Sequence, residues 1–296
     1  MRVSLHRVAK TNPQGPVPNW SFAIPLLLLV AAGAAFGHAA PEVINEQINE
    51  EIEAAGGLSK ADGQLILQRA ESYRQDADYE AALADYALAE DAGLGADVAY
   101  YRARMYLEAG EPEKAVSEAK RFLKYHPGNS YAQVTLAYAY ADSGDYPAAV
   151  EAMEQGLVKH PLPTADHYLK LADWNLESGN TEQAIAALNA GNKRLSPQVS
   201  LISRAVDILE QSGDYSGAIK QINTLPSGLT TQPGWQLRLG DLQRKAGDSE
   251  AALVSYRKAA AALDAMSELK RSQLAIIELQ QIVTIRLNEL DESSSE

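Results

Sequence analysis

Ser143-Gly144-Asp145-Tyr146-Pro147-Ala148-Ala149-Val150 decides how this chain folds. The phrase returns as Ser212-Gly213-Asp214-Tyr215-Ser216-Gly217-Ala218-Ile219, and again as Ala246-Gly247-Asp248-Ser249-Glu250-Ala251-Ala252-Leu253. Weaker copies start at Ala109, Ser178 and Gln75. The glycine of the phrase falls at Gly110, Gly144, Gly179, Gly213 and Gly247, with Ala77 in its place in the first copy, at intervals of 33, 34, 35, 34 and 34. Five residues after it stands alanine in every copy: Ala82, Ala115, Ala149, Ala184, Ala218 and Ala252. Seven residues before it stand Ala70, Ala103, Ala137, Ala172 and Gly240, with Val206 as the exception.

A regular period of this length marks a repeat architecture. Within each period, two antiparallel helices joined by a tight turn need a residue that accepts left-handed backbone geometry, which glycine does at least cost. The next residue is Asp78, Glu111, Asp145, Asn180, Asp214 or Asp248. Five of these six carry a side-chain oxygen of the right reach to cap the second helix. Small residues in the two fixed columns let the paired helices approach closely. Pro127, Pro161 and Pro197 then end second helices, because proline cannot continue one.

This pattern resembles the tetratricopeptide repeat family over about residues 59–262. The match is carried by Tyr73, Tyr106 and Tyr140 late in first helices, by Tyr79, Tyr146 and Tyr215 after the turn, and by the alanine column. Repeats four to six drift, with Asn175, Leu209 and Gln243 where the tyrosine would stand. The resemblance implies an all-α, right-handed α-solenoid of about six helix-turn-helix repeats with N- and C-terminal capping helices, and first helices lining a concave groove. Groove candidates are then Tyr100, Tyr101, Arg104, Tyr131 and Tyr138 in the N-terminal half, and an acid column of Asp173, Asp207 and Asp241 in the C-terminal half. Tyrosine and arginine are common binding anchors; ordinary helix packing explains the tyrosines equally well, and a solvated surface explains the acids. Some relatives clamp acidic chaperone tails with Lys, Asn and Arg. Here Leu67, Glu71, Tyr101, Tyr131 and Thr135 fill the matching places, so that clamp is missing.

The ends differ from the repeats, as solenoid ends must. Residues 40–58 read as a short amphipathic helix with Ile44, Ile48 and Ile52 at four-residue spacing, closed by Gly56-Gly57, after which Ser59 caps the first repeat helix. Residues 263–290 read as one capping helix with Ile276, Leu279, Val283, Leu287 and Leu290 on its apolar face and Leu274, Ile277 and Ile282 beside it, followed by a disordered tail over 291–296. That width is more than a simple cap needs and leaves self-association through the helix open.

Residues 1–39 read as a signal peptide: Arg2, Arg7 and Lys10, an apolar run from Trp20 to Phe36, then small residues Gly37 and Ala39 before cleavage at Ala40. The alternative is an uncleaved inner-membrane anchor, since the run is near the lower limit for a span. Either way the body of the protein is expected outside the cytoplasm, periplasmic or secreted. The formal charge of −13 becomes −16 without those three basic residues, which disfavours nucleic acid and anionic membrane and suits a basic partner. The chain has no cysteine, so disulfides, thiolate metal sites and thiol nucleophiles are excluded.

No catalytic, cofactor or metal constellation stands out. Phosphate-cradling glycine patterns and the zinc-protease helix motif are absent. His126 and His160 are the same inter-repeat residue in consecutive copies, each before a proline. His167 has no evident ligand partner. The expected function is therefore a non-catalytic protein–protein interaction scaffold or assembly factor in a bacterial-type cell envelope, with a protein or peptide partner and no cofactor. A cell-wall or carbohydrate-binding module, using the tyrosines on sugars, and an accessory subunit of an envelope enzyme are the alternatives.

Overall fold

The computed structural model describes residues 41–57 and 63–293; the expected signal segment and Ser59 lie outside them. Among the described residues the fold is all-α. The chain divides into two compact units at Asp142/Ser143.

The first unit holds α1 (Pro41–Ala54), α2 (Gly63–Gln75), α3 (Tyr79–Ala89), α4 (Val98–Glu108), α5 (Pro112–Tyr125) and α6 (Ser130–Asp142). Between α3 and α4 the chain passes through a π turn, Glu90–Leu94, and a 3-10 turn, Gly95–Asp97. The second unit holds α7 (Tyr146–Lys159), α8 (Ala165–Glu177), α9 (Thr181–Leu195), α10 (Val199–Gln211), α11 (Tyr215–Ile222), the single turn α12 (Ser227–Thr230), α13 (Pro233–Lys245), α14 (Ser249–Asp264), the single turn α15 (Glu268–Arg271) and α16 (Leu274–Ser293). In each unit successive helices pack on their sequence neighbours, α2 on α3 and α4 on α5, then α8 on α9, α10 on α11 and α13 on α14.

The turn column behaves as its chemistry requires. Gly110, Gly144, Gly179, Gly213 and Gly247 all have positive φ, between 74° and 86°, and Ala77 takes φ 60° in the same place. An alanine there carries the steric cost of left-handed backbone that glycine avoids. The amide of Asp214 donates to the Leu209 carbonyl (2.9 Å) and that of Gly213 to Glu210 (3.1 Å), the paired bonds of a Schellman ending. Asp78, Asp145, Asp214 and Asp248 each accept the amide three residues on. Asn180 shares their backbone geometry and makes no such bond, contrary to its expected role. Glu111 turns instead to Lys114.

Both small-residue columns are sealed. The alanines at 82, 115, 149, 184, 218 and 252 are fully buried, as are Ala70, Ala103, Ala137, Ala172 and Val206. At Gly240 a Cβ would come within 2.4 Å of the buried Tyr256 ring, so glycine there is what lets α13 and α14 meet. Repeat five departs most from the pattern: α11 has 8 residues, and Pro226 follows soon after.

At the C-terminal end, three helices occupy what reads in sequence as one. Ser267 leaves helical geometry (ψ 152°) and separates α14 from α15; a second break at Ser272-Gln273 precedes α16. α16 then continues to Ser293, three residues into the stretch expected to be tail. Val283 and Leu290 are buried against α13 and α14, with Ile276, Leu279 and Leu287 beside them, which is the apolar face read from the sequence.

Candidate functional site

In the first unit, Tyr100, Tyr101 and Arg104 come together on α4. The two tyrosine rings meet edge to face at 5.6 Å, and the Arg104 guanidinium lies 5.8 Å from the Tyr100 ring centre. On α5, Phe122 packs at 5.4 Å from Tyr100 and stacks on His126 at 4.5 Å. His126 Nε2 is 2.6 Å from an Asp97 carboxylate oxygen. The result is one aromatic row, Tyr101–Tyr100–Phe122–His126, with charge at each end. Thr135 of α6 hydrogen-bonds to the Tyr100 side chain, and Tyr131 contributes to its electrostatic surroundings. Burial raises the pKa of both Tyr100 and Tyr101, and Glu71 adds to the rise at Tyr101. Both phenols stay protonated donors. Tyr131 and Tyr138 are half-buried on α6.

Beneath this row lies a network that sequence reasoning missed. Arg74 is buried, with its side chain 4% exposed. It holds Glu71 through two bonds of 3.1 Å and Glu108 through two, of 2.6 and 2.5 Å. Glu71 also accepts from Tyr86 and from Arg104 (3.5 Å). Arg104 is therefore partly compensated from within its own unit. Tyr86 stands nine residues after its turn; Tyr256 does the same in the last repeat and donates to Asp241 (2.8 Å). The four repeats between have Ala119, Met153, Leu188 and Ile222 there, all buried. A tyrosine nine after the turn facing an acid six before it was the signal in the sequence.

The acid column of the second unit is brought into line and is already engaged. Asp173 on α8 takes Arg204 of α10 (2.7 Å), Asp207 on α10 takes Arg238 of α13, and Asp241 on α13 takes Arg286 of α16 (2.9 Å). Each acid thus ties one first helix to the next, and α16 stands where a further first helix would. Such half-exposed pairs contribute about 0–1 kcal/mol each, so the ladder sets register more than it adds stability. Arg204 and Arg238, each 31 residues after its aspartate, were the legible sign of it.

The histidines also have structural work. His167 Nδ1 accepts the Thr164 amide (3.1 Å), closing a capping box at the start of α8, and His160 Nδ1 accepts the Leu162 amide (3.3 Å). Their rings lie 5.2 Å apart, and Arg194 donates to the His160 carbonyl (2.6 Å). Burial lowers the pKa of both, helped by Arg194 at His160 and by His160 at His167, while Asp166 opposes the fall at His167. A histidine with a lowered folded pKa stabilises fully above its unfolded value, near pH 6.5, and loses that contribution as pH falls. Unfolding stability of the second unit is therefore expected to drop between pH 7 and pH 5, by at most about 1.4 kcal/mol per pH unit for each histidine. Thermal melts of the wild type and of His167→Gln across that range check it; the variant should fall less steeply.

Among the described residues no helix is long and apolar enough to cross a membrane. Residues 106–171 match the tetratricopeptide repeat family. DnaJ homolog subfamily C member 3 from Gallus gallus is 35% identical over 117 residues, covering 38% of this chain and 23% of that protein, so the chain aligns with under a quarter of that relative's length. Among solved structures, a tetratricopeptide repeat protein from Parabacteroides merdae superposes with TM-score 0.43 at 18% identity, over 83% of this chain and 99% of that one. PilF of Pseudomonas aeruginosa gives TM-score 0.46 at 17% identity, over 74% and 96%. The family match lies in the middle of the array, and the same left-handed turn recurs in register six times along it, so residues 106–171 are tetratricopeptide repeat sequence set within helix pairs of the same kind.

Proposed function

We propose that this protein is a non-catalytic scaffold, exported to the cell envelope, that holds a peptide or protein segment along the aromatic row of its first unit. The observation that carries the reading is the row itself: Tyr101, Tyr100, Phe122 and His126 in mutual contact, backed by a buried ion network that fixes α2 and α4. Rigid aromatics with hydroxyl tips bury area at low entropic cost and accept varied backbones. Tyr131 and Tyr138 on α6 extend the surface. The acids at Asp173, Asp207 and Asp241 are spent on neighbouring arginines, which shifts the weight of partner binding to the first unit. Export rests on the basic leader, the apolar run and the Gly37/Ala39 pair in the sequence.

Crosslinking capture from the source cells tests this, with the wild type beside Tyr101→Ser and, as control, Asp173→Asn. A discrete protein held by the wild type and the control, and reduced at least tenfold with Tyr101→Ser, is the expected result. Capture unchanged by Tyr101→Ser places binding elsewhere. Retention that survives proteolysis of the partner fraction assigns the row to glycan instead.

A further inference from the structure

α16 carries two apolar faces. The inner one, centred on Val283, is covered by α13 and α14. On the outer side Leu274 (71% exposed), Ile277 (40%), Ile282 (41%) and Ile285 (53%) stand in solvent. At 100° per residue these four span an arc of about 140° opposite Val283. A cap that covers the last repeat needs one apolar stripe; a second, exposed one is the mark of an interaction surface.

The arrangement of that second stripe is symmetric. Leu274 lies as far before the midpoint between Leu279 and Gln280 as Ile285 lies after it. Ile277 and Ile282 are placed about the same midpoint, and so are Glu278 and Gln281. A foreign helix would require no such symmetry. An isologous two-fold contact does, because the same patch must be its own complement. We infer that α16 is a dimerisation helix that pairs antiparallel with α16 of a second copy of this chain. Run antiparallel about that midpoint, Leu274 falls level with Ile285 of the second copy and Ile277 with Ile282. Glu278 falls level with Gln281, whose amide N–H donates to the carboxylate. The inner stripe and the Asp241–Arg286 pair stay in place, so dimerisation asks for no rearrangement of the end repeat. This inference is independent of the aromatic row.

Sedimentation velocity of the purified protein from low to high micromolar concentration is the first arm. A monomer–dimer equilibrium is expected, with the dimer dissociation constant raised at least tenfold by Ile277→Asp with Ile285→Asp at unchanged helical content. The chain has no cysteine, so single thiols give the second arm. Gln281→Cys lies at the seam and should oxidise to a covalent dimer, whereas Gln280→Cys, turned about 100° away, should not. A monomer at every concentration, a dimer that survives the two aspartates, or equal crosslinking from both positions overturns the inference.

Discussion

Arg74→Met should cost the first unit about 3 kcal/mol, the figure typical of removing one partner from a buried ion pair. The guanidinium is enclosed and serves two carboxylates on different helices, Glu71 on its own helix α2 and Glu108 on α4. Methionine fills much of the volume but leaves Glu71 with Tyr86 and a long contact to Arg104, and Glu108 without its arginine. The loss comes from the stranded acids, so it has a diagnostic reversal. Adding Glu71→Gln and Glu108→Gln should recover more than half of it, because a buried pair replaced whole costs far less than one broken. Denaturant melts of the single and triple variants give the numbers. Hydrogen exchange confined to α2–α4 would show that the damage is local, as it should be in an array held by nearest neighbours.

Gly191→Ala should destabilise the fourth and fifth repeats by about 2 kcal/mol, in the range for overpacking a closed interior. The gain in helix propensity, about 1 kcal/mol, works against this and is outweighed. A Cβ at that point in α9 would sit 2.6 Å from Tyr168 Cγ, 2.9 Å from Tyr168 Cβ and 2.7 Å from Leu201 Cδ1. Tyr168 belongs to α8 and Leu201 to α10, both buried, so the added carbon pushes two first helices apart at once. Gly179, by contrast, has open space around its Cβ position and is kept for its φ of 76°. Ala at residue 191 therefore acts through crowding, and exchange protection in α8 and α10 should fall together. Unchanged protection in α10 would show that Leu201 yields without cost.

Most of the fold was legible because a repeat states each rule several times. The turn glycine, the acid after it and the two small columns are local requirements of two close antiparallel helices, and six copies separate them from chance. The breaks at Ser267 and Ser272 were not legible, since they lie beyond the last copy in an Ala- and Leu-rich stretch whose local propensity favours continuous helix. The site was half legible. Tyr100, Tyr101 and Arg104 could be placed together by helical spacing, yet Phe122 of α5 and His126 just after it join them only once the helices pack. The acid column was found and its partners were not, because surface charge reads as solvated until the facing helix is known. Position nine after the turn could have betrayed Tyr86 and Tyr256, but each is one residue in a column otherwise apolar.

The aspartate–arginine ladder has a bearing on how this chain can grow or shrink over generations. The two rungs inside the array, Asp173–Arg204 and Asp207–Arg238, each join an acid to a base 31 residues on, while the turn recurs after 34. Excising the period between Gly179 and Gly213 would bring Arg238 to the same separation from Asp173 that Arg204 has now, and duplicating it would add one more matched rung. Gene duplication or loss in whole periods thus leaves every junction chemically complete, while a slip of a few residues mismatches all that follow. The second unit is written so that its length is a variable and its register is not.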